Sequence, residues 1–414
     1  MLKKALYTLS IISISTAAFA SGYQISEYST TNLGRSFAGA GVVGDDFSAL
    51  GYNPAGMSIN ATSGIQAGAA GILLHSDYRN KDTGEKHSSK MGRILPHFFG
   101  QYKANDKLTL GAGFYTPYGL ITDYRNNWFG SDHGIFSGLK VMDLSAGFSY
   151  QLHPMFSVGA AVNGQYIHAR LTSTGTTTIQ HPLYGDVQVP TFNDMDGDDT
   201  AVGYMLGMTF TPKKNIRLGV SYRSKVSHEL EGDLAVGTDF GGKEMDIKAK
   251  LTTPELLLIS GAYDLNEKLT LSASARWTKW QRFDTLNILH KQTSSPVSST
   301  NENWKNTWFY SIGADYKINE NWTVRLGTAY DETVINSPAD RTVRVPDGRR
   351  LFASLGVSYM AGNWQYDLGY THVWMRSGNA KGGDVVSEAT GKAPNYRYNN
   401  SGAYMGGFSI QYKF

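Results

Sequence analysis

Three short stretches of the chain hold residues at spacings that known chemistry uses. Asp194, Asp196 and Asp198 stand at alternate positions like the opening of a calcium loop, but Gly197 comes one place early and Met205 occupies the place of the closing glutamate. They read as a solvated acidic outer segment, and no metal site is expected. Gly39, Gly41 and Gly44 match G-x-G-x-x-G, yet no strand precedes them in a βαβ unit, so they read as glycines that permit close packing. The ten histidines lie in no G-x-S-x-G or H-E-x-x-H context, and there is no cysteine to serve as nucleophile or thiolate ligand. Enzymatic chemistry is thereby set aside, and no cofactor is expected. Asn53-Pro54-Ala55, taken alone, is an ordinary turn initiator.

The elements that would position such residues begin after a leader. Residues 1–20 place Lys3 and Lys4 before a short apolar run that ends in Ala18-Phe19-Ala20, the pattern of a secretory signal peptide. The run is shorter than the roughly 20 residues a helical span needs. Losing two lysines leaves the mature chain almost neutral, so charge points to no nucleic-acid partner. With 46 Gly, 25 Tyr, 18 Phe and 8 Trp, the composition suits a transmembrane barrel, whose strands show lipid an apolar side chain only at alternate positions between aromatic girdles.

Alternation is plain at 216–226. Ile216, Leu218, Val220, Tyr222 and Val226 take one face, and Arg217, Gly219, Ser221, Arg223 and Lys225 take the other, a division that needs water on one side and lipid or core on the other. Similar runs occupy 108–114, 142–152, 269–277, 322–330, 351–359 and 408–414, the last ending on Phe414, a terminal aromatic of the kind that serves outer-membrane barrels as an assembly signal. Six tight turns, near residues 105, 153, 213, 266, 320 and 362, join twelve strands. A first strand near 64–79 and a last near 404–414 complete fourteen. Seven longer polar connections, at 80–91, 119–136, 172–199, 231–246, 283–302, 332–348 and 378–398, fall on the opposite side and face outward. The expected fold is an all-β, 14-stranded antiparallel transmembrane β-barrel over 63–414, with residues 21–62 folded inside the lumen as a plug, in the outer membrane of a Gram-negative bacterium. A soluble sandwich would explain neither the one-sided loops nor the terminal aromatic.

Residues 22–41 (GYQISEYSTTNLGRSFAGAG), Asp45-Asp46 and Asn53-Pro54-Ala55 together resemble the N-terminal hatch of the FadL family of long-chain fatty acid and hydrophobic-compound transporters. The resemblance continues at Tyr118-Gly119-Leu120, Trp277-Thr278-Lys279-Trp280, Tyr330-Asp331-Glu332 and Arg344-Val345-Pro346-Asp347, in the family's order. It implies a hatch-closed barrel that takes up fatty acids or, alternatively, aromatic or alkane hydrocarbons, with release through a kink in the third strand. That kink would draw on Gly111, Gly113, Pro117 and Gly119. By position the resemblance assigns the hatch aromatic to Tyr23, where the family has phenylalanine, and carboxylate binding to Lys305, Arg170 and Thr116. The phase set by Trp308, Tyr310 and Ile312 turns Lys305 inward, whereas the phase of the fifth strand turns Arg170 outward unless a bulge intervenes. Gating falls to Tyr23, Asn53, Pro54 and Ala55. Expected partners are the ligand, outer-membrane lipid and lipopolysaccharide, and the barrel assembly machinery, with a monomer as the working unit. An open porin is the rival reading, and it would need no hatch.

Overall fold

A strand that alternates apolar and polar side chains can span a bilayer only if its sheet closes on itself, because lipid offers no partner to an unpaired backbone edge. The computed structural model describes residues 22–60, 62–125, 127–239, 241–382 and 394–414, so the signal peptide expected at 1–20 lies outside the described residues. Its strands are β1 (Gly64–Asn80), β2 (Lys86–Lys103), β3 (Leu108–Asp123), β4 (Phe136–His153), β5 (Phe156–His181), β6 (Gly185–Lys213), β7 (Ile216–Arg223), β8 (Val226–Thr238), β9 (Gly241–Thr253), β10 (Leu256–Asp264), β11 (Leu269–Thr278), β12 (Thr285–His290), β13 (Pro296–Asn301), β14 (Thr307–Lys317), β15 (Trp322–Asp331), β16 (Arg350–Ala361), β17 (Trp364–Met375), β18 (Gly378–Ala380) and β19 (Tyr396–Lys413).

Fourteen of these form the wall in the antiparallel ring β1-β2-β3-β4-β5-β6-β7-β10-β11-β14-β15-β16-β17-β19, and β19 pairs back onto β1. The six tight turns are where the sequence puts them. Outward positions such as Leu73, Leu144, Ile312, Leu326 and Leu368 are exposed, while inward Gln66, Asn163, Arg223, Asp367 and Gln411 are buried. The Phe414 amide donates to the Ser63 carbonyl at 3.0 Å, tying the chain end beside the start of β1.

The outer connections differ from the expected loops. Residues 172–199 continue β5 and β6 as one long hairpin, 231–246 belong to the hairpin β8–β9, and 283–302 contain the hairpin β12–β13. Above the bilayer these strands still keep an apolar inner face, with Leu234, Ile247 and Ile288 clustered, but their outer face is polar rather than greasy, so they read as polar loops. Val226 is a second correction. The chain breaks at Ser224 and Lys225, the phase flips, and Val226 is buried inside while Lys225 is exposed.

Residues 22–60 fill the barrel, with α1 (Thr30–Leu33), α2 (Ala49–Tyr52) and a 3-10 turn at Pro54–Ser58. Short helices cannot hold themselves, so wall side chains take their open carbonyls. Ser149 donates to Ala55 O at 2.9 Å, Ser221 to Tyr52 O at 2.6 Å and Thr371 to Leu33 O at 3.0 Å. A charge cluster adds to this. Arg35 meets Asp45 at 2.7 Å and Asp315 at 3.3 Å, and Arg325 meets the same two carboxylates at 2.9 and 2.8 Å. These four groups join the hatch to β14 and β15, and the two guanidinium ions hold the Asp45 carboxyl well below its usual range despite its burial.

The fit is close enough that a methyl group would upset it. A Cβ at Gly327 would lie 2.1 Å from the Arg35 carbonyl carbon, whereas one at Gly406 meets nothing within 4 Å. Gly327→Ala should therefore cost about 1–3 kcal/mol of hatch docking. The expected outcome is raised bilayer conductance and new trypsin cleavage after Arg35, with Gly406→Ala indistinguishable from the parent in both measurements.

Candidate functional site

Proline carries no amide hydrogen, so Pro117 cannot complete a ladder on β3. The β2–β3 ladder ends at the pair Phe98↔Phe114, and the β3–β4 register shifts between Tyr115 and Tyr118. Above that point the free edge of β3 is taken by the first hatch residues. The Ile25 amide donates to Pro117 O at 2.8 Å, and the Gly119 amide donates to Tyr23 O at 2.8 Å. Residues 22–28 thus act as a strap that stands in for a missing strand. Of the four residues assigned to a kink, Pro117 and Gly119 lie at the break. Gly111 and Gly113 do not, because they pair regularly with Gln101 and Phe99. Gly111 leaves room for the Met57 sulfur, 2.4 Å from where its Cβ would be.

Tyr23 is fully buried where the strap crosses the lumen, with Trp280, Phe283, Trp304 and Tyr118 around it at ring separations of 4.6, 5.6, 5.8 and 6.0 Å. The hydroxyl that distinguishes it from phenylalanine finds a partner, donating to Thr252 O at 3.3 Å. Tyr23 is also one wall of an apolar cavity with about 840 Å³ of empty space. The remaining walls come from Leu120 on β3, Leu139 on β4, and Leu230, Ile247, Leu251 and Ile288 on the outer hairpins. An apolar lining with a few polar groups is the make-up of sites that take fatty ligands.

Four charged residues line this cavity, Asp196 on β6 and Lys248 on β9 among the outer hairpins, Arg344 on the β15–β16 connection and Glu302 between β13 and β14; Asp196 is exposed and paired with His168, and Lys248 is half-buried. Arg344 is half-buried and donates to Ser137 Oγ at 3.0 Å and to Phe136 O at 3.3 Å. Arg35, Arg223, Arg325 and Arg350 each reach an aspartate, but among the described residues no carboxylate lies within 4 Å of the Arg344 guanidinium. Burial pulls its pKa down to about 10, against the pull of Glu302. Burial likewise lifts Glu302 to about 7, and Trp304 and Arg344 offset only part of that.

The cations assigned by position stand elsewhere. Arg170 is on the outer face of β5, exposed and paired with Asp194 at 2.6 Å, as the strand phase required. Lys305 is half-buried and absent from the cavity wall. The alternation that favoured it is interrupted. Glu302 and Trp304 are buried, Lys305 and Asn306 leave the strand, and the inward phase resumes at Thr307 and Phe309. Thr116 is buried in the break of β3 but is not on the cavity wall. Asn53-Pro54-Ala55 sits at the tight-turn end, where Asn53 Nδ2 donates to Met208 O at 3.1 Å, Asn53 Oδ1 accepts from the Ala55 amide, and a Cβ at Gly159 would strike the Ala55 nitrogen at 2.4 Å. Arg344 stood in a stretch singled out for resemblance, yet nothing in its local pattern marked it as a cation facing the lumen.

A family model described as outer membrane protein transport protein (OMPP1/FadL/TodX) matches residues 11–414. The chain belongs to this family. The long-chain fatty acid transport protein of Escherichia coli K12 is 25% identical over 441 residues, covering 95% of this chain and 98% of that protein. The crystal structure of a Pseudomonas aeruginosa FadL homologue superposes with a TM-score of 0.86 at 22% identity, covering 95% of this chain and 100% of the other. The Pseudomonas putida toluene transporter TodX gives 0.71 at 19% identity, with 94% and 99% coverage. This chain is therefore an outer-membrane transport protein and not an enzyme, as the sequence led us to expect.

The Tyr23 hydroxyl bond contributes about 1 kcal/mol. Tyr23→Phe should speed deuterium exchange at the Gly119 amide roughly fivefold if strap opening governs that exchange. Mass spectrometry of a peptide spanning 117–121 measures it, and unchanged exchange would separate the strap from Tyr23.

Proposed function

We propose that this protein carries long-chain fatty acids, or closely similar single-chain amphiphiles, passively across the outer membrane. The observation that carries the reading is that one segment closes two things at once. Residues 23–25 put Tyr23 in the wall of the apolar cavity and supply the hydrogen bonds that seal the gap beside β3. Withdrawal of the strap opens a cavity wall and the barrel wall together, so an acyl chain can pass from the cavity toward lipid. It thereby avoids exposure to water at about 0.8 kcal/mol per methylene.

Arg344 favours a carboxylate over a hydrocarbon. A carboxylate headgroup would give its guanidinium a directly bonded anionic partner, which the more distant Glu302 is not, whereas toluene or an alkane would leave the cation as it is. The hatch-filled lumen supports gated passage over an open porin, and because a single chain closes the barrel, a monomer suffices as the working unit. In this reading Asn53-Pro54-Ala55 anchors the part of the hatch that stays in place.

Equilibrium binding of radiolabelled oleate to purified protein tests the reading. Arg344→Met should weaken binding about tenfold, the loss of one charge-assisted bond, and Lys305→Ala should leave it unchanged. Loss with Lys305→Ala and none with Arg344→Met would return the headgroup to the lysine.

The same assay has a pH dependence. Burial raises the Glu302 pKa to about 7, so Glu302 is mostly neutral below that pH and ionised above it. Its negative charge then competes with the ligand for Arg344. Oleate affinity should fall as pH rises from 6 to 8 in the parent and stay flatter in Glu302→Gln. Parallel pH curves would remove Glu302 from the site. For the exit, Pro117→Ala or replacement of Asn53-Pro54-Ala55 should lower oleate uptake while the barrel stays folded, and full uptake would count against lateral release.

A further inference from the structure

The outer face of the wall turns basic where β1 leaves the membrane. Along that face of β1, Leu73 is exposed to lipid, His75 and Asp77 follow, and Arg79 comes last before the connection to β2. Arg79 is paired in register with Lys86 on β2 and with Arg397 on β19, so three strands put three exposed cations side by side in one row. A fourth exposed cation, Lys90, stands opposite His75, nearer the bilayer. Directly opposed side chains have Cβ atoms only about 4.5–5.5 Å apart, and like charges there repel. Elsewhere on the outer surface cations meet acids, Arg170 with Asp194 at 2.6 Å and Lys291 with Glu231 at 2.8 Å. In this row they do not. Among the described residues no carboxylate comes within 4 Å of Arg79, Lys86, Lys90 or Arg397. Two acids close by are held by neutral donors instead. Asp77 accepts from Ser88 Oγ at 2.7 Å and from Asn400 Nδ2 at 2.9 Å, and Asp82 accepts from Asn395 Nδ2 at 3.0 Å.

What lies beneath the row fixes its depth. His75 stacks on Tyr404 at 5.3 Å, and His372 lies 4.7 Å from the same ring and 4.0 Å from Trp374. Below them Leu73, Ile94 and Phe408 are exposed to lipid. Amphipathic rings gather at the boundary between hydrocarbon and headgroups, so the cations above them stand at the headgroup level of the outer leaflet. The glycolipid of that leaflet carries phosphates on its glucosamine disaccharide, and a guanidinium fork binds phosphate through two parallel bonds. We infer that Arg79, Lys86, Lys90 and Arg397 form a binding site for the phosphorylated headgroup of lipopolysaccharide, whose acyl chains lie along the apolar wall below. The phosphates supply the negative charge that the row lacks. The inference is independent of which cargo is carried and needs only the outer-membrane location.

Purified protein is melted in detergent with EDTA, so that no metal bridges phosphate to Asp77. The additions are diphosphorylated lipid A, its dephosphorylated form, and inorganic phosphate at the same phosphate concentration. Heat-modifiable migration on a gel reads the unfolding midpoint, and native mass spectrometry counts bound lipid. Diphosphorylated lipid A should raise the midpoint by several degrees and remain bound to the barrel, and the other two additions should do neither. The triple variant Arg79→Gln, Lys86→Gln, Arg397→Gln should lose both effects, whereas Lys213→Gln with Lys214→Gln, at the tight-turn end, should keep them. Without lipid the triple variant should melt no lower than the parent, since it sheds repulsion and breaks no ion pair. A lower midpoint there would make the row a structural element of the wall and overturn the inference. Equal stabilisation by inorganic phosphate or by dephosphorylated lipid A, or a lipid A effect that survives in the triple variant, would overturn it as well.

Discussion

The unpaired edge of β3 is the constraint on which the rest of this molecule depends. Inside a bilayer every backbone amide and carbonyl has to find a partner within the protein, and a barrel ordinarily meets that need by closing. Here closure is complete between β19 and β1 but incomplete between β2 and β3, where Pro117 removes a donor and the ladder stops at Phe114. The strap supplies the missing bonds from inside. A bond between wall and plug is easier to give up than a bond between two wall strands, because its loss leaves the other thirteen strand pairings intact.

Charge inside the barrel falls into two kinds, and the difference tells which parts hold and which parts act. Arg35, Asp45, Arg325 and Asp315 neutralise one another where the hatch meets β14 and β15, and Asp46 is occupied by Ser29, Thr31 and Ser48. Groups so fully paired make a rigid contact. Arg344 and Arg276 are left with neutral partners, and each of them lines a cavity. The hatch is thus a fixed body with a looser leading segment.

Legibility in the sequence followed the distance over which each signal acts. Strand alternation and tight turns are local, so the fourteen wall strands can be counted from residue types alone. The lipid-facing alternation is lost at 283–302 and 172–199, where strands continue beyond the membrane with polar outer faces and look like loops. Phase is cumulative, and a single irregular pair of residues reverses it. Lys305 and Arg170 show the difference. The phase argument does not extend to Lys305, because Lys305 and Asn306 leave the strand, and it held for Arg170 because β5 carries no shift against β6 there.

Taken alone, the sequence determined the all-β wall, the strand count, the inward hatch and the family, since these rest on residue types at fixed short spacings. Only the tertiary structure decided which cations face a cavity, which hatch residues seal the wall, and that Gly111 and Gly113 serve packing rather than a kink. Those facts depend on groups far apart in the chain, such as Tyr23 with Gly119, Arg276 with Ser26, and Arg344 with Ser137, and no local pattern records which side of a distant strand will meet them.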